Sequence, residues 1–317
     1  MVIIVTGPTA SGKTWLAEQL IQRLDGAMIN ADVGQFYTAC SVGTAKPDWQ
    51  AKPYQSYLFD WLDTPSDVTV VAFKKAVDEA IARAQTNGKV PIIVGGSAFY
   101  VKSLFFQPVD IVPVDPSAAA PSWEAYPTQQ LFEQLQLLDP VRAAELYSTD
   151  RYRIERALTL WHITGKLPST LKPTFVQPYQ KVLVVALLPP REQLEQRIAA
   201  RLAHMLEVDG WIEEARHLLN TPWESFIVSK GLVGYAELFA WLRAGGDPGA
   251  LPSVADAIRI GTRQYAKRQE IFLKKFVADL QAHTLSPSLA VRIFHESSLQ
   301  VANELARIVA DHVISHK

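Results

Sequence analysis

Residues 1–20 read MVIIVTGPTASGKTWLAEQL, and the fold turns on how this stretch is parsed. A short apolar run breaks at Gly7-Pro8-Thr9-Ala10-Ser11-Gly12-Lys13-Thr14, and the pattern then turns helical to about Leu24. Strand, glycine-bounded loop and helix in that order make a phosphate cradle. The glycines let backbone N–H groups converge on phosphate oxygens, and the helix start adds the positive end of its dipole. Lys13 supplies a point charge, and the Thr14 hydroxyl can ligate Mg²⁺. A chance match in a glycine-containing turn is the alternative, and the strand before and helix after speak against it.

The same alternation continues outward. AMINAD ends at Asp32, TVVAFKKAVDEAIARAQTNG reads as a helix stopped at Gly88, and KVPIIVGG follows as a buried strand. KVLVVALLPP near 181–190 is a further strand, and LAVRIFH near 289–295 is another before a final helix. Strands alternating with helices predict an α/β fold, a parallel sheet of the P-loop type covered on both faces. Between about 105 and 130 the pattern gives way to Pro- and Ala-rich sequence that reads as a linker or lid. Helical segments follow, including DRYRIERALTLWHITGK. The expected division is therefore a core over 1–104, a small, mostly helical insertion over 105–178, and a completion of the core over 179–317. That last part is nearly all helical from 191 to about 280.

Composition narrows the class. The 317 residues are 48% apolar and 20% charged with a net charge of −1, so a nucleic-acid partner must be held by a local patch. The single cysteine, Cys40, rules out an internal disulfide and fits a reducing compartment. The apolar start has no basic leader, and no run approaches the roughly 20 apolar residues of a membrane span. A cytoplasmic protein without a membrane segment is expected. The seven histidines show no metal-binding spacing. Cys40 reads as an ordinary buried thiol.

A nucleotide hydrolase also presents an Asp at the end of a second apolar strand. Here PIIVGG ends in glycines and VLVVALLPP in prolines, leaving Asp32 after AMIN, with Asp60 in YLFDWLD as a further carboxylate. Ligands of open parallel sheets bind beyond the carboxyl ends of strands, which points Asp32 at the cradle. Gln35, Thr44 and Lys46 share the following loop, and Ser97 stands just past another strand end. Gln35 has the donor and acceptor pair that reads a nucleobase edge. Each also has a plainer reading: a helix cap or metal ligand for Asp32, a solvated loop residue for Gln35, a turn hydroxyl for Ser97.

Taken together, GPTASGKT, NADVGQFY with VGTAKP, KVPIIVGGSAFYVKSL, DRYRIERALTLWHITGK, GLVGYAELFAWL and GTRQYAKRQ resemble the tRNA dimethylallyltransferases, in that family's order and over essentially the whole chain. The resemblance implies transfer of a dimethylallyl group from dimethylallyl diphosphate to N6 of the adenosine beside the tRNA anticodon, position 37, with release of diphosphate. Residues Gly7 to Thr14 would hold the diphosphate with Mg²⁺ on Thr14, and Arg263 would reach the same site. Asp32 matches the general base, with Lys13, Thr14 and Ser97 completing the catalytic set. Val33, Gly34, Gln35, Ser97, Lys230 and Lys267 would face the adenine or the tRNA. So would Tyr152, Arg153, Ile154, Glu155 and Arg156, in a segment that grips the anticodon stem-loop. Arg259, Arg263, Lys267 and Lys274 fall at helical spacing as a stripe for phosphate contacts, or as a solvated basic face. A monomer is expected.

Four departures accompany the match. The family's histidine pair after GTAKP is absent, Gly231 stands where an arginine precedes GY, YSTD replaces HPND, and the insertion is short. They leave open the same transfer to a free adenine nucleotide such as AMP, and a non-catalytic tRNA-binding relative; the phosphate cradle by itself also fits a P-loop small-molecule kinase, with Asp32 activating a hydroxyl.

Overall fold

The computed structural model describes residues 1–107, 122–171, 173–283 and 288–314. Most of the Pro-rich stretch read as a linker or lid, 108–121, lies outside them. The chain divides into two compact units, the larger made of 1–102 and 177–317 and the smaller of 103–176.

The larger unit begins with β1 (Val2–Thr6), every residue of which is buried, as a central parallel strand requires. After the loop comes α1 (Lys13–Leu24), preceded by Gly12 in the left-handed region at φ 87°. Strand β2 (Gly26–Asn30), the two-residue β3 (Ser56–Tyr57) and α2 (Val70–Thr86) follow. The Thr69 hydroxyl accepts from the Ala72 N–H at 3.1 Å to start α2, and Gly88 at φ 71° ends it. Then come β4 (Val90–Gly95) and α3 (Ala98–Phe105).

The smaller unit pairs β5 (Phe106–Gln107) antiparallel with a later strand and contains α4 (Thr128–Leu138), α5 (Pro140–Ala144) and α6 (Arg151–Thr164). That partner is β6 (Thr174–Phe175). Asp150 caps α6 by accepting from the Arg153 N–H at 3.2 Å, and Gly165 at φ 66° stops it. Leu131, Leu135, Ala143, Ile154, Ala157 and Leu158 form this unit's own core.

Back in the larger unit stand β7 (Val182–Leu187), α7 (Arg191–Glu207), α8 (Trp211–Leu218), α9 (Pro222–Ser229) and α10 (Tyr235–Arg243). The long α11 (Leu251–Gln281), β8 (Leu289–Phe294) and α12 (Leu299–Ile314) complete the chain. The six-stranded sheet runs β3-β2-β4-β1-β7-β8 with all pairs parallel, so the α/β class expected from the alternation is the one formed. One core lies between the sheet, α1 and α12, where Ile3, Val5, Leu16, Leu20 and Leu305 are buried. Burying each such side chain contributes about 1.5–3 kcal/mol. A second core joins α7 to α10 around Trp211, Tyr235 and Phe239, and takes in Tyr37 and Cys40 from the loop after β2. That loop is therefore held by the helices on one side and the sheet on the other.

The strand order puts β4 between β1 and β2, so three strand ends meet beside the phosphate loop. Gly95 makes the approach possible: a Cβ there would run into the backbone of Ala31. Gly95→Ala is expected to cost at least about 3 kcal/mol by overpacking, read as a lowered urea midpoint with an unchanged denaturant slope. A midpoint equal to that of the parent protein would show that this contact does not constrain the fold.

Candidate active site

The cradle is built as its residue types demand. Gly7 is buried against Leu187, the Ser11 N–H donates to the Pro8 carbonyl at 3.2 Å, and the Lys13 ammonium reaches the same carbonyl at 3.4 Å. Ala10 (φ 61°) and Gly12 (φ 87°) both adopt the left-handed region, which wraps the loop back on itself. No side chain caps the start of α1, so its first-turn amides keep their affinity for an anion. Thr9, Lys13 and Thr14 line a small cavity of ≈ 50 Å³ against this loop. Ser11 is buried and lines neither this cavity nor the larger one described below.

Asp32 enters from β2. The Asn30 side chain grips its backbone, accepting from the Asp32 N–H at 2.9 Å and donating to its carbonyl at 3.3 Å. Asp32 then opens a 3₁₀ turn, Val33–Phe36, yet makes no side-chain capping bond. The helix-cap reading therefore does not apply. Ser97 accepts from the Val33 N–H at 3.1 Å, so its hydroxyl also holds the Asp32 turn. A Cβ built on Gly96 would lie 2.8 Å from Gln269 Nε2, 3.1 Å from Lys13 Nζ and 3.4 Å from Asp32 Oδ2. These three groups converge on one bare stretch of backbone.

A second cavity, of ≈ 360 Å³, adjoins the first, within the about 300–1,000 Å³ span of small-molecule sites. Val33, Gly34, Ser97, Lys230 and Gly231 line it, with Tyr100 and Tyr265 supplying aromatic surface. Thr9, Asp32, Thr44 and Arg201 line both cavities. The carboxylate thus stands at the junction of a phosphate loop and an aromatic pocket.

Three functional candidates come from helices far along the chain. Arg201 on α7 donates to the Thr9 hydroxyl at 2.6 Å, and Arg197, one turn earlier, donates to the Ser11 carbonyl at 3.3 Å. Gln269 on α11 accepts from the Thr9 N–H at 2.8 Å and donates to the Gly96 carbonyl at 2.8 Å, joining the loop to the end of β4. For the two arginines the sequence offers only their RxxxR spacing, which any basic helix face can show, whereas Gln269 closes the GTRQYAKRQ motif. Enclosure pulls the Lys13 ammonium below the ordinary lysine range, the Asp32 carboxylate opposes that, and Arg201 adds to it. Burial likewise lowers Arg201, again opposed by Asp32. Two cations against one carboxylate leave the site suited to an anion.

The remaining candidates are distributed as follows. Gln35 lines the smaller cavity, but its amide N–H groups are spent on the carbonyls of Thr44 (3.1 Å) and Ala45 (3.3 Å). Lys46 and Asp60 pair with each other at 2.5 Å, and Asp60 also accepts from the Trp49 indole, so neither faces the cradle. Lys230 is paired with Asp67 at the larger cavity. Arg263 pairs with Glu195 at 2.7 Å and lines neither cavity. Arg259 and Lys274 are paired with Asp256 and Glu270, while Lys267 is exposed, so most of the α11 stripe is locally neutralised. In the smaller unit, Tyr152 is 72% exposed, Arg153 pairs with Asp150, Glu155 pairs with Arg151, and Arg156 is exposed. Ile154 is buried in that unit's core, and its side chain faces no ligand.

Among the described residues no group of three or more His, Cys, Asp or Glu could hold a metal. A Mg²⁺ ion at the cradle would draw most of its ligands from phosphate oxygens and water, and the Thr14 hydroxyl in the lining of the smaller cavity suits such a partial shell. No described helix is long and apolar enough to cross a membrane.

Sheet, loop and paired cavities define a P-loop-type protein whose phosphate loop stands next to a second, aromatic-walled cavity. Comparison with known proteins carries this further. The sequence model described as IPP transferase matches residues 35–276, more than half of the chain. A tRNA dimethylallyltransferase of Mycobacteroides abscessus is 36% identical over 272 residues, covering 84% of this chain and 86% of the relative. A tRNA dimethylallyltransferase 1 of Citrifermentans bemidjiense is 36% identical over 279 residues, covering 86% and 89%. The chain belongs to the IPP transferase family. Among solved structures, a tRNA delta(2)-isopentenylpyrophosphate transferase of Staphylococcus epidermidis is similar at TM-score 0.63, with 25% identity and coverage of 98% and 99%. A eukaryotic dimethylallyltransferase acting on tRNA has the same fold at TM-score 0.76, with 24% identity and coverage of 100% and 80%.

Arg201→Ala is expected to weaken inorganic diphosphate binding at least about tenfold, since a charge-assisted contact is lost. Arg263→Ala should leave it within about threefold, because that guanidinium faces Glu195. Calorimetric titration with diphosphate separates the two, and a reversed order would exchange their assignments. Burial, and next the Glu214 carboxylate, push the Cys40 thiol up to about 12. The unfolded chain releases this proton near the ordinary 9.0, so the thiol's contribution to stability falls as pH rises through that window. At pH 8 the native thiol should react with a thiol reagent at least about 100-fold more slowly than the unfolded one.

Proposed function

We propose that this protein transfers a dimethylallyl group from dimethylallyl diphosphate to N6 of the adenosine beside the anticodon of tRNA. The observation that carries the reading is Asp32 at the junction of the phosphate-loop cavity and the aromatic-walled cavity. A donor diphosphate in the cradle places its allylic carbon toward that junction, and an adenine turned out of its loop fills the larger cavity. The allylic C–O bond breaks and the N6–C bond forms. Asp32 takes the proton that N6 releases, and diphosphate leaves with the bonding electron pair.

Charge grows on the departing diphosphate, and Lys13, Arg201 and the first-turn amides of α1 are oriented before it appears. Mg²⁺ held by Thr14 and the diphosphate would neutralise part of that charge. Tyr100 and Tyr265 exclude water from the allylic carbon and offer aromatic surface to a base. Exposed Tyr152, Arg153 and Arg156 suit contact with the anticodon stem-loop. The smaller unit keeps Arg151 for itself, through the carbonyls of Trp123 and Tyr126. A monomer and a cytoplasmic setting complete the proposal, the buried Cys40 thiol fitting a reducing compartment.

Purified protein with Mg²⁺ and labelled dimethylallyl diphosphate should label unmodified tRNA that carries the target adenosine. AMP supplied in place of tRNA should remain unlabelled, and labelling of AMP in preference to tRNA would transfer the reading to a free nucleotide. Asp32→Ala should lower transfer at least about 1,000-fold, the upper part of what general-base loss costs, while tRNA binding stays near the parent value. Undiminished transfer by that variant would remove Asp32 from the proton step.

A further inference from the structure

The segment after Asp32 is tied to a carboxylate that the transfer chemistry does not use. Glu214, in the first turns of α8, accepts from the N–H groups of Ser41 and Val42 at 2.7 Å each through one oxygen. Its other oxygen accepts from the Gly43 N–H at 3.0 Å and from the Tyr235 hydroxyl at 2.6 Å. Three consecutive backbone donors on one anion form a nest turned to hold part of the protein itself. Gly43 is bare for a reason: a Cβ there would run into the Trp211 indole and the Tyr235 ring. Trp211 and Tyr235 lie at the centre of the second core, so the carboxylate is presented by a rigid base.

From this anchor the contacts lead to the site without a gap. Thr44 follows directly, its hydroxyl donating to the carbonyls of Cys40 (2.8 Å) and Ser41 (3.1 Å). The carbonyls of Thr44 and Ala45 hold the Gln35 amide, and a Cβ on Gly34 would lie 2.9 Å from the Thr44 methyl. Gln35 closes the 3₁₀ turn by donating its N–H to the Asp32 carbonyl at 3.0 Å. Thr44 lines both cavities and Gly43 lines the larger one.

We infer that Glu214 is a positioning residue for the acceptor: it pins residues 41–43 and through Thr44 and Gln35 sets the wall beside Asp32 against which the incoming base is placed. This rests on the prenyl-transfer reading for the identity of the acceptor. The phosphate loop itself is held by other contacts, from Gln269, Arg197 and Arg201, so although Gln35 and Thr44 also line the smaller cavity, loss of Glu214 acts on the acceptor more than on the donor.

The test is steady-state transfer by the full-length protein with each substrate varied, alongside amide hydrogen exchange. Glu214→Ala should lower kcat/KM for tRNA at least about tenfold, as a loosened wall misplaces the base, and leave KM for dimethylallyl diphosphate within about twofold. Glu214→Gln keeps one acceptor oxygen for Ser41 and Val42 and should fall between the two. The amides of 41–43 should exchange faster in the same order. A role in stability alone would depress both substrates' parameters together, and that result, or tRNA parameters within twofold of the parent, overturns the inference. If Glu214→Ala does not fold, Glu214→Gln and Tyr235→Phe, which removes a single donor, carry the same comparison. Parent protein that labels no tRNA defeats the prenyl-transfer reading and the acceptor assignment with it, whereas unchanged exchange at 41–43 defeats the pinning whatever the substrate.

Discussion

The near-contact of two strand ends underlies the rest of the site. The Ala31 N–H donates to the Val94 carbonyl at 2.8 Å as the chain leaves β2, and the absent side chain of Gly95 lets the two backbones touch. Without that approach Asp32 would stand a side chain's width farther from the phosphate loop. Gly96 repeats the device one residue on, where Lys13, Asp32 and Gln269 share the space a Cβ would claim. Two bare residues at the end of β4 thus bring an acid, a base and a bridging amide together.

Around that point the electrostatics are asymmetric by construction. Lys13 and Arg201 are desolvated with a single carboxylate for company, an arrangement costly to keep unless an anion completes it. Placement of the cations divides the labour. Lys13 belongs to the loop it serves, whereas Arg197 and Arg201 arrive from α7 and Gln269 from α11. Helices remote in sequence therefore stiffen the phosphate loop, and their packing is part of its geometry.

The larger cavity follows a different logic. Its wall is a loop, 33–46, which has little regular structure of its own and gains order by being clasped. The aromatic core of α8 and α10 holds Tyr37 and Cys40, Glu214 holds the amides of 41–43, and Lys46 is paired with Asp60. A loop clasped at several points can present Asp32, Gly34 and Thr44 with the accuracy of a strand while keeping its backbone open to a ligand.

The α/β class and the phosphate loop were legible because both rest on local rules. Alternating apolar runs specify strands and helices, and a phosphate loop needs glycine, lysine and threonine at fixed short spacings that no other role demands together. Asp32 was legible for a related reason, since it lies just past a strand end on the side where such sheets bind ligands. Arg201 and Glu214 were not, nor was the bridging place of Gln269, which the GTRQYAKRQ motif contains without marking. Each sits on a helix whose composition is ordinary, and only the packing of that helix decides whether its polar face meets a phosphate loop, a strand end or water. Arg263 illustrates the converse: at ideal helical spacing in a basic stripe, it turns to Glu195 on a neighbouring helix. Ile154, inside a run of charged residues, points into its unit's core because helical periodicity overrides the character of its neighbours. What the chain alone determined is the chemistry that covalent neighbours can build; which distant side chains join it was settled by tertiary packing, because contacts between helices depend on crossing geometry that no short window of sequence encodes.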